Sequence, residues 1–523
     1  MTALDQALPR LPEAPADLRP RIFALGGIVA TVVVAAGFGA FTGEYQVLGV
    51  ALAAVALAAI VMVRRPDTAT FLVMAILYSN AAAIAVQFHG LPYLFGASFS
   101  LLLVVPVAYY LIARRETVTV TSALPWVVVY LLVNVVSALF SAYKVLAFDD
   151  LFTFFVEGFV LYVFVTNAVR DMATLRTVIW VLLLVGGAIG ALSGFQEATH
   201  SFNNEFGGFA QISNAVIGTG QSTLVGEETQ PRLSGPIGEK NRYAQIMIVL
   251  LPLGLFRMWG ERRMSLKVLA GSCTMFIALG AAFTFSRGGA VGVAMLIGLM
   301  AVLRYISWRQ IAVFLLAMII VLVAVPTYAQ RLTTLVELSD SADVTGTGQA
   351  IDGSFRERAV AQIAAFLVFV DHPIMGVGPG LFGQYYQEYA GTFAVAENLD
   401  REAHNLYLGI AADTGILGLG AFMLVLGTTL RDLVRGRRRW LGRRPDLADT
   451  ATAFSLALIS YMTTGVFLHM AYPRYFWVLA ALAGVAAHLA MTEPEPEDLP
   501  TGLEPSPSSP PQGAGWAPTP AGA

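Results

Sequence analysis

The 523-residue chain is short of cysteine, of charge and of any excess of one sign. Cys273 is its single cysteine and stands inside an apolar run, so no intramolecular disulfide forms and loops must order themselves by other means. Charged residues make up 13%, where an ordinary globular chain carries about 25%. The 32 basic and 35 acidic residues leave a net charge of −3, which argues against nucleic acid as a partner. The six histidines, His89, His200, His372, His404, His469 and His488, contain no pair at a metal-ligand spacing such as H-x-x-x-H. No Gly-rich nucleotide fingerprint follows a strand-like run, and no strong internal repeat is present. Residues 1–20 are polar and Pro-rich, so no cleavable signal peptide is expected.

What fills the chain instead is apolar sequence. Hydrophobic residues reach 56% and the mean hydropathy is +0.67. A helix needs about 20 apolar residues to cross the hydrocarbon core. Roughly fourteen runs approach that length, near 22–41, 46–63, 69–88, 95–113, 122–142, 150–168, 175–195, 243–257, 266–285, 289–303, 310–327, 405–430, 451–470 and 473–490. The expected fold class is all-α, a polytopic membrane helical bundle of about 12–14 transmembrane helices with a long extracytoplasmic loop that itself contains helices. The expected layout is a cytoplasmic N-terminal segment 1–20, N-terminal membrane helices 21–195, an extracytoplasmic loop 196–242, central membrane helices 243–327, a large extracytoplasmic loop 328–404, C-terminal membrane helices 405–490 and a disordered, Pro/Glu/Ser-rich tail 491–523.

Loop charge sets the orientation. With the N-terminus in the cytoplasm, alternate loops collect Arg64 and Arg65, Arg114 and Arg115, Arg170 and Arg176, Arg257 to Lys267, Arg304 and Arg309, and Arg431 to Arg444. About 22 of the 32 basic residues then lie inside, a marked positive-inside asymmetry. A multi-pass protein of the plasma membrane, in contact with membrane lipids, is the expectation. Within the outer loop 328–404, Ser354 to Val370 has apolar residues at Val360, Ile363, Leu367 and Val370, the spacing of an amphipathic helix lying on the membrane surface or on the bundle.

Several outer basic residues stand in compact polar motifs beside the spans: Pro231-Arg232-Leu233-Ser234-Gly235-Pro236, Ser286-Arg287-Gly288-Gly289 and Arg401-Glu402-Ala403-His404-Asn405. A cation such as Arg287, wedged between two apolar runs, is costly unless it pairs or lines a wet cavity. Snorkelling or helix capping is the plain alternative for that one residue, but it does not account for three motifs on one side of the membrane. The guanidinium fork binds phosphate oxygens bidentately and stays charged at any working pH, so Arg232 and Arg287 suit a diphosphate. His404, with Arg401, Glu402 and Asn405 around it, has the chemistry of a general base near neutral pH. Asp371 to Gly380 reads as a turn-rich loop ending the amphipathic helix at Pro373, or as a backbone cradle for an anionic head group. Arg356 and Arg358 are two positions apart on that helix and do not share a face.

At these residues the chain resembles the O-antigen ligase and polymerase superfamily of bacterial membrane proteins. The resemblance spans roughly residues 180–430. It is carried by Arg232 with Gly235, Lys240-Asn241-Arg242, Phe285-Ser286-Arg287-Gly288-Gly289, Phe355-Arg356 through His372-Pro373 to Gly376-Val377-Gly378, His404-Asn405-Leu406-Tyr407 and Thr414-Gly415-Ile416-Leu417-Gly418. Asp413 departs from the pattern, standing where many relatives carry Glu. The resemblance implies a metal-independent glycosyltransferase, without a cofactor, that takes a glycan from a polyprenyl (undecaprenyl) diphosphate carrier on the extracytoplasmic face. The acceptor is a glycan or lipid-glycan such as lipid A core. By resemblance His404, Arg287 and Arg232 are catalytic, and Arg356, Lys240, Asn241, Arg242, Asn405 and Glu402 contact substrate. A repeat-unit polymerase of the same superfamily shares the donor chemistry and remains open. A transporter or flippase calls for ionisable residues near mid-membrane and a paired half-repeat, and the apolar runs hold almost no interior charge.

Overall fold

The computed structural model describes residues 62, 64–92, 99–212, 224–225, 228–229, 232–307, 309–312, 316, 353–390 and 402–494. They form an almost wholly helical bundle: α1 (Asp67–Tyr78), α2 (Ala81–His89), α3 (Phe99–Ala113), α4 (Leu124–Phe140), α5 (Lys144–Ala168), α6 (Met172–Ala198), α7 (Lys240–Gly260), α8 (Met264–Ala282), α9 (Arg287–Val302), α10 (Gly353–Asp371), α11 (Phe382–Ala390), α12 (Leu406–Trp440), α13 (Pro445–Gly465) and α14 (Pro473–Thr492). Between α6 and α7 lie four very short strands, β1 (Gln211–Ile212), β2 (Leu224–Val225), β3 (Glu228–Thr229) and β4 (Leu233–Gly235). β1 pairs antiparallel with β4, and β2 with β3.

Among the described residues six helices are long and apolar enough to cross a membrane: α5, α6, α7, α8, α12 and α14. The pair α1–α2, bent by 55°, adds a seventh if it is one broken span. The expectation of 12–14 spans is therefore not met within the described part. The run near 22–41 and most of those near 46–63 and 310–327 lie outside the described residues, and α4 and α9 are shorter, at 17 and 16 residues.

Local chemistry explains where helices begin. Asp171 caps α6 by accepting from the N–H groups of Ala173 and Thr174, Glu239 caps α7, Ser286 caps α9 and Asn405 caps α12. Each supplies an acceptor to N–H groups that the helix itself leaves unpaired. Pro445 and Pro473 occupy first turns, where a missing N–H costs nothing. Packing between spans relies on small residues. On α6, Gly187 faces Cys273 and Gly190 faces the Phe276 carbonyl of α8, and a Cβ at Gly190 would collide with that backbone. Such close approach is how helices associate when lipid offers no hydrophobic gradient. The interior is aromatic: Phe154, Phe476 and Tyr130 surround Trp477 at ring-centroid distances of 5.0–6.0 Å, and Phe422 packs on Tyr130 and Phe476.

α10 lies on the bundle, one of the two placements expected for it, and runs beside the first turns of α12. Gln362 of α10 donates to the His404 carbonyl just before α12, and Pro373, just after α10, accepts from Ile416 N–H. Its packed face differs from the expected one. Val360, Ala361, Ala364, Ala365 and Val368 are buried, while Val370 is 52% exposed and Phe366 50%. The alanines let the helix approach α12, and the larger apolar side chains turn outward, as they do where the surroundings are lipid.

The loop that follows is docked rather than free. α12 is broken at Gly415, whose φ is 64°. Across the break Val377 N–H donates to Ala412 O at 3.0 Å, Gly378 N–H to Asp413 O at 2.9 Å and Ile416 N–H to Pro373 O at 2.8 Å. Ser137 of α4 donates to the Met375 and Asp413 carbonyls, and Asp413 accepts from Phe382 N–H. Backbone groups freed by the break are thus satisfied by the loop, a requirement at membrane depth. Gly376 (φ 65°) and Gly415 sit back to back, and a Cβ on either would strike the other segment's backbone. Asp371 to Gly380 is a brace for α12, not an open anion cradle.

Candidate functional site

Four helices start at one end of the bundle, α7, α9, α12 and α14, and the polar motifs gather there. The first link is Arg232. Its Nε donates to Thr284 O at 3.1 Å and its Nη2 to Phe285 O at 2.8 Å. These carbonyls belong to the α8–α9 turn, where Phe285 takes φ 52°, a left-handed value that a non-glycine residue adopts only when its surroundings enforce it. The guanidinium clamps that turn and sets Arg287 at the first position of α9.

The second link joins α9 to α7. Ser286 Oγ donates to Asn241 Oδ1 at 2.9 Å while accepting from Gly289 N–H. Asn241 Nδ2 donates in turn to Glu239 Oε1 at 3.0 Å. Asn241 Oδ1 therefore ties the start of α9 to that of α7, while its Nδ2 holds the cap of its own helix. Lys240 and Arg242 beside it are buried.

The third link crosses to the α13–α14 loop. Arg242 Nη1 donates to the His469 carbonyl at 2.7 Å, and Nη2 lies 2.9 Å from His469 Nε2. A guanidinium only donates, so His469 Nε2 accepts and its proton sits on Nδ1. Burial, then the Arg242 charge, then His404, hold His469 well below the usual histidine range, so it is neutral. The His404 ring stands 5.9 Å from the His469 ring at 77°, edge to face. Glu402 Oε2 lies 3.5 Å from His469 Nε2, and its carboxylate is 64% exposed. His404 itself takes φ 47° immediately before Asn405, whose Oδ1 accepts from Tyr407 and Leu408 N–H. Asn405 thus acts as the cap of α12.

The loop that carries His469 also meets α9. A Cβ on Gly288 would stand 3.3 Å from Phe467, so the Arg287 end of α9 borders the loop that approaches His404. Arg232, Arg287, Lys240, Asn241, Arg242, Glu402, His404 and Asn405 accordingly lie at one end of the bundle, joined by these contacts or as chain neighbours of residues that make them. Arg356 falls on α10, but its side chain is outside the described residues, as are Pro231 and Arg401.

Two residues of this end were not singled out by motif. His469 lies 227 positions from its partner Arg242. Arg474, at the start of α14, donates to Glu157 Oε1 at 3.0 Å and to Asn80 Oδ1 at 2.7 Å, and Asn80 donates to Pro236 O. Glu157 reaches inward from a π-helical turn, Phe155–Val160, the kind of local bulge that re-aims side chains. The Tyr472 ring sits between the two guanidiniums, 5.7 Å from Arg242 and 5.3 Å from Arg474. One signal was available: a His and an Arg within a short turn between two apolar runs, on the same side as His404.

The arrangement can bind anions through fixed cations and helix starts and can move a proton at an imidazole. Residues 272–423 match a family model described as O-antigen ligase, a segment holding Arg287, Arg356, Glu402, His404 and Asn405 and the helix break of α12. The match supports the O-antigen ligase superfamily. No curated protein matches the chain.

Proposed function

We propose that the protein transfers a glycan from a polyprenyl (undecaprenyl) diphosphate carrier to an acceptor such as lipid A core or another surface glycan, at the extracytoplasmic mouth of the bundle. The observation that carries this reading is the unbroken chain of contacts from the Arg232 clamp on the Arg287 turn, through Ser286, Asn241 and Arg242, to His469 and His404. The side is supported by charge. The opposite end holds the arginine-rich turns at Arg170–Arg176, Arg257–Lys267, Arg304 and Arg431–Arg444, as cytoplasmic ends do.

In this reading the carrier enters from the outer leaflet and Arg232 and Arg287 engage its diphosphate. Part of Arg232 is spent on the two turn carbonyls, which fixes the direction of the rest of its fork. His404 accepts the proton of an acceptor hydroxyl. The acceptor oxygen bonds to the anomeric carbon as the bond from that carbon to the phosphate oxygen breaks, and the electron pair leaves on the phosphate. The products are the glycosylated acceptor, polyprenyl diphosphate and a protonated His404 that returns its proton to water. Attack from the face opposite the phosphate inverts the anomeric centre. Positive groups already in place stabilise charge that grows on the leaving phosphate more than they stabilise the ground state. Losing one such donor costs ~2–4 kcal/mol in barrier, and the base contributes about 10²–10⁴-fold.

The test is transfer by purified protein in bilayer discs, using a carrier-linked glycan donor. His404→Ala and Arg287→Ala are expected to abolish transfer at unchanged protein level, and retained transfer in His404→Ala overturns the base assignment. Ligase and polymerase share this chemistry and part at the acceptor. In cells lacking the protein, long chains stranded on carrier identify a ligase, and single repeat units identify a polymerase.

A further inference from the structure

The mechanism leaves unused the best-held titratable group at this end, His469. Its carbonyl and its Nε2 both take hydrogen bonds from Arg242, at 2.7 and 2.9 Å. Its Nδ1 is buried, with no hydrogen-bond partner among the described residues. The edge-to-face ring contact with His404 completes its surroundings.

We propose that His469 is a positioning residue for His404: pinned by Arg242, its ring forms the wall against which the His404 imidazole is set. The inference rests on the reading of His404 as the base. His404 needs such a wall, because it sits in a left-handed turn just before α12, outside the regular helix that would otherwise restrict its rotamers. A site side chain left without a packed neighbour samples rotamers and loses the geometry that catalysis requires. The imidazole of His469 is unsuited to take the acceptor proton itself. Its Nε2 lone pair is committed to Arg242, and its Nδ1 already carries hydrogen and is shut from solvent.

The surrounding charges favour a neutral His469. Arg242 of α7 stands behind it, Tyr461 of α13 and Tyr472 of the loop flank Arg242, and among the described residues the acidic group that faces His469 is Glu402. Burial and the Arg242 charge work together to keep His469 uncharged.

Substitution separates wall from bond. Arg242 reaches the backbone carbonyl of residue 469, so it retains an anchor whatever side chain stands there. His469→Phe keeps a ring, and His469→Ala removes it. Two measurements are made on the full-length protein in bilayer discs. One is the pH dependence of His404 modification by diethyl pyrocarbonate, read by peptide mass spectrometry, which reports the neutral imidazole without any substrate. The other is transfer from a carrier-linked glycan, with kcat and donor KM separated.

For His469→Phe the modification midpoint is expected to match that of wild type, with kcat values within threefold of each other. For His469→Ala the midpoint moves away from the wild-type value and kcat falls at least tenfold, while donor KM stays within twofold. An unmoved midpoint in His469→Ala, or a Phe variant as impaired as Ala in both measurements, overturns the proposal. If wild type transfers no glycan from the carrier, the functional reading fails, and the modification profile still decides the role of His469.

Discussion

The two ends of the bundle both carry arginines, and they use them differently. At the arginine-rich end several guanidiniums meet carboxylates near water, although Arg170 and Arg257 are themselves enclosed, at 11% and 16% exposed. Arg444 pairs with Asp446 and Glu493, Arg176 with Asp446, and Arg431 with Asp432, and these arginine side chains are 38–49% exposed. At the other end Arg242 is only 5% exposed and the Arg474 side chain 15%, and their partners include a carbonyl, an imidazole, an amide and a tyrosine ring. Exposed pairs are screened and contribute little. Enclosed cations fix the groups around them, because leaving any member unpaired is expensive. The first end reads as an orienting anchor, the second as a preorganised site.

That contrast can be broken most sharply at the site. His404→Ala and Arg287→Ala are expected to lower glycan transfer by about 10²–10⁴-fold, with an unchanged elution profile on gel filtration. Next comes Arg474→Ala, which strands Glu157 and Asn80. A loss of ~3–5 kcal/mol is expected, seen as a large fall in thermal midpoint in detergent, and replacing Arg474 and Glu157 together by Met and Leu should recover most of it. Gly376→Ala forces a side chain into left-handed backbone against Asp413. Strain of about 1–3 kcal/mol should lower the midpoint and also transfer, since the same brace holds the start of α12.

Acid should weaken the site end as well. His469 is held below its unfolded value, so the unfolded chain binds a proton first and stability falls as pH drops through about 6.5. The dependence approaches ~1.4 kcal/mol per pH unit at most, and His469→Phe should flatten the thermal midpoint between pH 7.5 and 5.5. The smallest effect belongs to the opposite end. Arg444→Ala should cost under ~1 kcal/mol and leave transfer unchanged, and a tenfold loss of transfer there would erase the distinction between the ends.

Much of this division was legible in the sequence. Apolar runs and loop arginines set out a bundle with two unlike ends, and Arg232, Arg287 and His404 stood in polar motifs. Their neighbours were not legible, because Arg242 meets His469 across 227 positions and Arg474 meets Glu157 across 317. Nor was the packed face of α10. Apolar spacing pointed to Val360, Ile363, Leu367 and Val370, yet the buried set is Val360, Ala361, Ala364, Ala365 and Val368. In water the largest apolar residues mark the interior. Where lipid bathes the surface they do not, and small residues become the better guide.

The join between the Pro373–Gly378 segment and the split in α12 bears on how the chain's orientation is mapped. By hydropathy this segment is an inviting place for an epitope or a reporter, being short, Gly-rich and flanked by helices. It lies roughly 10–15 Å along α12 from Asn405, given the helical rise, and its amides complete the ladder of that helix. A tag inserted after Gly378 would pry the helix open and unseat the turn holding His404. A dead fusion there would say nothing about which compartment the tag had reached.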